Sequence, residues 1–414
     1  MSVEQDDPSP APAAPRPPLP SPPPPPQAVF RRRRLVVAAG AAAVALTVGG
    51  GLAVALSGDG EPSRRPVKPT VAAAPPEWTV KAGRLLASGP GVRYDGALTV
   101  GGRPVLARLR ITREGSATGT LTAGPLTADV VAVDGATYLR AGVAFWRDYA
   151  GEVAHPEYYA GRWSKAPAAL PGFDVPGVLG PEPIARTLAK APPRPATEDV
   201  GGRPAYKVRT PSAEYLVASA APYRLLAVRA TGPNAPWFTA SPVAAPASMF
   251  AELRSRVARL GGASDPGLRF RPGTLTFSNC DKNTNGCTVT VPATLASPAG
   301  TVPSGARAAL RASIASRGRP LGSCAGSGPV PSSRALVLTC TVKSGLWRRW
   351  VRTALDNPGS YPYAATAQVI GEAVAVADVP KLLAAVDRER SSVAQPEPAT
   401  PGTAGSGPPG SGPA

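Results

Sequence analysis

Cysteine is the first residue type in this sequence whose placement could do chemistry. All four copies lie late in the chain, at Cys280, Cys287, Cys324 and Cys340. An even number confined to one stretch fits two disulfides. Neither pair has the C-x2–4-C spacing of a zinc site, and the single histidine, His155, is distant in sequence. Sequential pairing is favoured over the two other connectivities. Cys280–Cys287 would close a loop over Asn283-Thr284-Asn285-Gly286, which is strong turn chemistry, and Cys324–Cys340 would tie neighbouring segments. The same loop opens like a calcium site, with Asp281, Asn283, Asn285 and Gly286. Pro292 stands where the bidentate glutamate should close it, so a plain turn is the stronger reading. No metal and no other cofactor is expected.

The second candidate is the cluster Trp347, Arg348, Arg349, Trp350 and Arg352. Aromatic faces next to guanidinium groups can hold an anion or a protein partner. The competing reading is an ordinary helix start with one aromatic buried and the arginines solvated. Catalytic material is sparse. A nucleophile needs a base beside it, and His155 falls in the loop-like Val153-Ala154-His155-Pro156-Glu157. No G-x-S-x-G, H-E-x-x-H or phosphate-loop motif occurs, and the 27 acidic residues are dispersed. The expectation is a binding or scaffolding protein and not an enzyme.

Those residues need a frame, and the N-terminus predicts where it stands. Residues 35–56 form an uncharged run of 22, long enough to cross a hydrocarbon core of about 30 Å. Arg31 to Arg34 precede it, and Asp59 and Glu61 follow. The positive-inside rule then predicts one membrane span, with the N-terminus in the cytoplasm and the remainder outside. A cleaved signal peptide ending near Ala53-Val54-Ala55 is the rival reading. Pro22 to Pro26 mark residues 1–30 as a proline-rich cytoplasmic tail, either a plain spacer or a ligand for an aromatic groove.

The chain is strongly basic, at a formal +18. The first 34 residues account for only +2 of this, from Glu4, Asp6 and Asp7 against Arg16 and Arg31 to Arg34, leaving +16 for the outer part. Such a surface should attract polyanions such as lipid headgroups or anionic cell-wall polymers, although a general bias toward arginine would give the same count. No nucleic acid is expected, because no basic helix with interleaved aromatics and no nucleic-acid motif is present.

Beyond a linker at 57–76, alternating apolar residues predict antiparallel sheet from about Trp78 to about residue 235. Tyr94, Leu98, Val105, Leu109, Ile111 and Leu121 should share one face, with Arg93, Arg108 and Arg110 on the other. Asp134-Gly135 predicts a hairpin turn. Val-Gly-Gly-Arg-Pro occurs at 100–104 and again at 200–204, which hints at a repeated hairpin. Residues 176–190 look partly helical, and Met249, Phe250, Leu253, Val257 and Leu260 make an apolar stripe on a helix over Ala247–Leu260. Strands at 275–277, 288–291, 336–342 and 364–369, with helical pieces at 303–316 and 378–390, predict a small disulfide-stapled β-rich or α+β domain at 265–390. Residues 391–414, rich in Gly, Pro and Ser, read as a disordered tail.

The order Gly119-Thr120-Leu121-Thr122, Asp134-Gly135-Ala136-Thr137-Tyr138-Leu139, Ala144-Phe145-Trp146, Tyr159-Ala160-Gly161-Arg162-Trp163-Ser164-Lys165, then a helix and more strands, resembles the LppX/LprA/LprF/LprG lipoproteins of actinobacteria. The resemblance spans about 77–240. It implies a LolA-like α+β fold: a curved antiparallel half-barrel whose concave face, covered by helices, encloses an apolar cavity for lipid or lipoglycan. The six residues from Tyr94 to Leu121 would line that cavity. The family's lipobox cysteine is missing, and the predicted span takes its place. The domain plan is therefore 1–30 tail, 31–56 basic stop and span, 57–76 linker, 77–240 LolA-like sheet, 241–264 helix, 265–390 disulfide domain and 391–414 tail. The function expected is a membrane-anchored extracytoplasmic binding protein for an apolar ligand. The alternative is a structural or sensory envelope module that binds anionic polymer or protein through its basic surface.

Overall fold

The computed structural model describes residues 75–394, apart from 152, 282 and 358. Among these, no helix is long and apolar enough to cross a membrane. The span expected at 35–56 and the tail at 1–30 fall outside the described residues, as does most of 57–76 and 391–414.

The first region opens with a helix, α1 (Glu77–Ser88), which the alternation of the following residues does not reveal. Five strands then meander: β1 (Gly91–Val100), β2 (Arg103–Thr112), β3 (Ala117–Ala123), β4 (Leu126–Val133) and β5 (Ala136–Ala141). After α2 (Val143–Tyr149) come β6 (Trp163–Lys165), α3 (Val175–Leu179) and α4 (Pro181–Leu188). A second meander follows: β7 (Ala196–Asp199), β8 (Pro204–Arg209), β9 (Ala213–Ala218), β10 (Leu225–Ala230) and β11 (Trp237–Pro242). β11 returns to pair antiparallel with β1, so the two meanders form one sheet.

Both Val-Gly-Gly-Arg-Pro segments are hairpin turns, joining β1 to β2 and β7 to β8. Their glycines all have positive φ, at 55° and 77° for Gly101 and Gly102 and at 59° and 80° for Gly201 and Gly202. A two-residue turn of this twist needs positive φ at both central positions, which is why glycine recurs there.

The sheet is buried on one face and, in part, on the other. One packs against α1 to α4, through Trp78, Phe145, Trp146, Leu179, Ile184 and Leu188. The other carries α5 (Pro246–Val257) and α7 (Val379–Ala394). β4 serves both: Val130 and Ala132 face the first layer, Val131 and Val133 the second. α5 is pinned by Arg256, whose Nη1 donates to the main-chain oxygens of Gly119 at 2.5 Å and Val130 at 3.0 Å. α7 is anchored by Glu389, which accepts from Thr112 Oγ1 and Ser116 Oγ, both at 2.5 Å. The helix continues past residue 391, where the composition predicts a disordered tail to begin.

The second region extends the same sheet. β12 (Ala263–Asp265) pairs parallel with β6 through Ser264 and Ser164. β19 (Ala364–Val374), β16 (Arg307–Ser316) and β17 (Arg319–Pro329) continue from it in that order. Ala263, where β12 begins, is partnered by Val374, where β19 ends. A smaller sheet contains β13 (Arg269–Pro272), β14 (Thr276–Ser278), β15 (Cys287–Ser297) and β18 (Ala335–Val342), and α6 (Gly345–Asp356) joins its core through Trp347 and Val351. The helix expected over 303–316 is corrected to β16. The residues it gives to the core of the second region, Ala308, Leu310, Ala312 and Ile314, follow a period of two, with Arg307 and Arg311 on the opposite face. The architecture is α+β and sheet-rich. The domain boundary expected after residue 264 falls inside β12.

Candidate functional site

The six residues expected to line a ligand cavity are brought together on one face, under α1 to α4. Tyr94, Val105 and Ile111 are 0% exposed, Leu98 and Leu121 2%, and Leu109 3%. A cavity wide enough for water would leave part of these surfaces accessible, so the space above them is filled by side chains. Tyr94 donates from Oη to the Leu179 carbonyl at 2.7 Å, and Tyr215 likewise to Val178 at 3.1 Å, which ties α3 to the sheet. Burial raises the Tyr94 phenol well above its ordinary range and Tyr215 to about 12.

The cysteines pair sequentially, Cys280 with Cys287 and Cys324 with Cys340. The first bridge closes a turn in which Asn283 Oδ1 accepts from the Asn285 amide at 2.9 Å and Asn283 Nδ2 donates to the Asn279 carbonyl at 2.9 Å. The second joins β17 of the large sheet to β18 of the small one. Among the described residues no cluster of His, Cys, Asp and Glu could hold a metal.

The arginine–tryptophan cluster lies on α6. Ser344 caps this helix, accepting from the Trp347 amide at 3.0 Å and donating to the Leu321 carbonyl. Trp347 is fully buried, with its indole Nε1 bound to the Asn283 carbonyl at 3.0 Å. Arg348, Arg349 and Arg352 are exposed, and Trp350 is half-buried. The cluster thus divides: Trp347 is core, while Trp350 lines a surface cleft of about 630 Å³.

The other walls of that cleft were not legible in the cluster itself. They include Arg317 from the turn between β16 and β17, Arg319 from the start of β17, and Ser360 and Tyr361 from the loop after α6. The indole of Trp350 meets the rings of Tyr361 and Tyr363 edge-on, at 6.1 and 5.6 Å between centroids. Arg317 Nη2 donates to the Ser360 carbonyl at 3.1 Å, which draws the two loops together. Among the described residues none of Arg317, Arg319, Arg348, Arg349 and Arg352 is in an ion pair. The signal available in the sequence is Arg317-Gly318-Arg319, with Gly318 at φ 77° as the turn residue. Chemically, the cleft offers an aromatic wall and uncompensated positive charge.

No family model and no curated protein matches the chain. Among solved structures, the crystal structure of MucB is similar at 12% identity and a TM-score of 0.23, over 74% of this chain and 95% of that one. MucB in complex with MucA(peri) is similar at 12% identity and a TM-score of 0.20, over 66% and 93%. The MucA/MucB complex of Pseudomonas aeruginosa is similar at 14% identity and a TM-score of 0.22, over 66% and 95%. TM-scores of this size carry no argument about fold or partner.

Proposed function

We propose that this protein is a membrane-anchored, extracytoplasmic and non-catalytic binding module that holds an anionic polysaccharide of the cell envelope in the cleft beside α6. One observation carries the reading: Trp350 and Tyr361 share a cleft with Arg317 and Arg319, whose charges have no carboxylate partner among the described residues. Aromatic faces stack on sugar rings, and guanidinium forks match carboxylate or phosphate groups. The two disulfides support an oxidising compartment, in keeping with a domain outside the membrane.

The test is binding of the full-length chain to polygalacturonate, with dextran of similar length as the neutral control. Binding to the acidic polymer alone, weakening steeply with added salt, supports the reading. Equal behaviour toward the two polymers contradicts it, as does unchanged binding in a Trp350→Ala, Arg319→Ala variant.

The apolar-ligand reading has a narrower footing. The face bearing Tyr94 and Ile111 has helices on it, consistent with the LolA-like resemblance, but a lipid would enter only if those helices parted from the sheet and broke the Tyr94–Leu179 bond. Organic extraction of the purified chain tests this: lipid recovered at near one-to-one ratio supports it, and none recovered contradicts it.

A further inference from the structure

A second cationic pocket, of about 250 Å³, opens where the two regions share their sheet. β6 and β12 lie parallel there, and the chain enters each through a glycine turn: Gly161-Arg162 before Trp163, and Gly261-Gly262 before Ala263. Gly161 and Gly262 have φ of 70° and 74°, and a Cβ on either would meet no neighbouring atom. Their conformation, not crowding, is what calls for glycine. Arg259, just past the end of α5, and Arg140 of β5 complete the rim. Arg311 reaches in from β16, across β19, and its Nη2 donates to the Gly262 carbonyl at 3.0 Å and to Ser264 Oγ at 3.3 Å.

One donor behind the pocket wall is unspent: Arg311 Nη1 is buried and has no hydrogen-bond partner among the described residues. Buried polar groups are almost always paired, so an orphan guanidinium N–H beside a cationic pocket needs an explanation. The nearby carboxylates do not supply it. Asp129 is held by Arg140 and Arg256, Glu372 by Arg307, and Asp265 by Lys165. Arg162, Arg259 and Arg311 are in no ion pair among the described residues. Burial, with the charge of Arg162 second, lowers the Arg311 guanidinium to about 10. An arginine desolvated beside a like charge is tolerated where an anion compensates it.

We propose that this pocket binds a phosphate group, free or as an ester, through Arg162, Arg259 and Arg311. Three guanidinium groups in no ion pair among the described residues favour a dianion over a single carboxylate, and tetrahedral oxygens can accept from several arginines at once. The volume leaves room for the group and a small substituent. The site is separate from the cleft beside α6 and does not depend on that reading.

The test titrates the full-length chain with inorganic phosphate, and with chloride at matched ionic strength, by calorimetry and thermal melting. One phosphate per chain and a raised melting temperature are expected. Arg162 and Arg259 are exposed, so Arg162→Gln and Arg259→Gln should fold normally and weaken phosphate about tenfold or more. Arg84→Gln, an exposed arginine on α1, should leave phosphate binding unchanged. Phosphate binding no better than chloride overturns the proposal, as does a folded Arg162→Gln, Arg259→Gln double variant that binds like the parent. Glycerol phosphate and dihexanoyl phosphatidic acid then identify the source. Tighter binding of the lipid assigns the group to a headgroup and equal binding to a free phosphate ester, and either outcome upholds the site.

Discussion

The indole Nε1 of Trp347 donates to the main-chain oxygen of Asn283 at 3.0 Å, linking α6 to the small disulfide loop across 64 residues of chain. The bond makes a buried residue responsible for the pose of a surface turn. Trp347→Phe keeps most of the packing but strands that carbonyl, and should cost about 1–3 kcal/mol. Trp347→Ala should cost about 3–5 kcal/mol. Urea denaturation measures both, and a Phe variant as stable as the parent would show that the hydrogen bond contributes nothing.

Ile111 and Leu106 lie on opposite faces of β2, and their fates should differ accordingly. Ile111 is fully buried under the helical layer, whereas Leu106 is 56% exposed. Ile111→Ala should destabilise by about 2–5 kcal/mol, since the filled core leaves a cavity behind. Leu106→Ala should stay within about 0.5 kcal/mol of the parent. Comparable losses at the two positions would mean that the face under α1 to α4 is not packed as described.

Glu198 on β7 receives the guanidinium of Arg229 and, at 2.6 Å, the ammonium of Lys207. Their hydrogen bonds, Arg229 first, lower its carboxyl from 4.5 to about 2. A carboxyl depressed in the folded state stabilises it above the unfolded value and loses that contribution as pH falls through the folded one. The gap in melting temperature between the parent and Glu198→Gln should therefore hold above about pH 4.5 and close toward pH 2. It should also narrow in high salt, because the three charged groups are only partly buried. A gap independent of pH would refute the ionic account.

The bridge between Cys324 and Cys340 spans 16 residues and joins two sheets. Closing a loop of that length restricts the unfolded chain by about 3 kcal/mol. A Cys324→Ser, Cys340→Ser variant should lose about that much, and a reductant should then shift its denaturation midpoint less than the parent's. A variant as stable as the parent would show that the small sheet holds its place without the bridge.

The parts of the fold legible in the sequence are those where one physical rule dominates. β1 and β2 alternate cleanly because each buries one face, and α5 displays its stripe of Met249, Phe250, Leu253 and Val257 because only that side meets the sheet. The sequential disulfides followed from turn chemistry at Asn285-Gly286. β16 was hidden because alanine fills both its buried and its partly exposed positions, so the period of two is visible only in Leu310 and Ile314. The cationic sites were less legible still. Arg162, Arg259 and Arg311 come from three distant segments, and nothing local marks Arg311 as the arginine with an unused donor. At α6 the cluster pointed to the right helix, but not to the division between Trp347 as core and Trp350 as cleft wall.

The pairing of Ala263 with Val374 makes the second region an insert with a closed neck: the chain leaves the first region and re-enters it at adjacent positions on one sheet. α5 and α7, on either side of that neck, pack on the same face and are bridged by Arg254 and Asp387 at 3.2 Å. The region between is thus a cassette. Cutting it out and splicing across the neck would leave the first layer, its helices and the return of α7 with their own contacts, so the two halves could be exchanged, shortened or replaced without threading the chain anew.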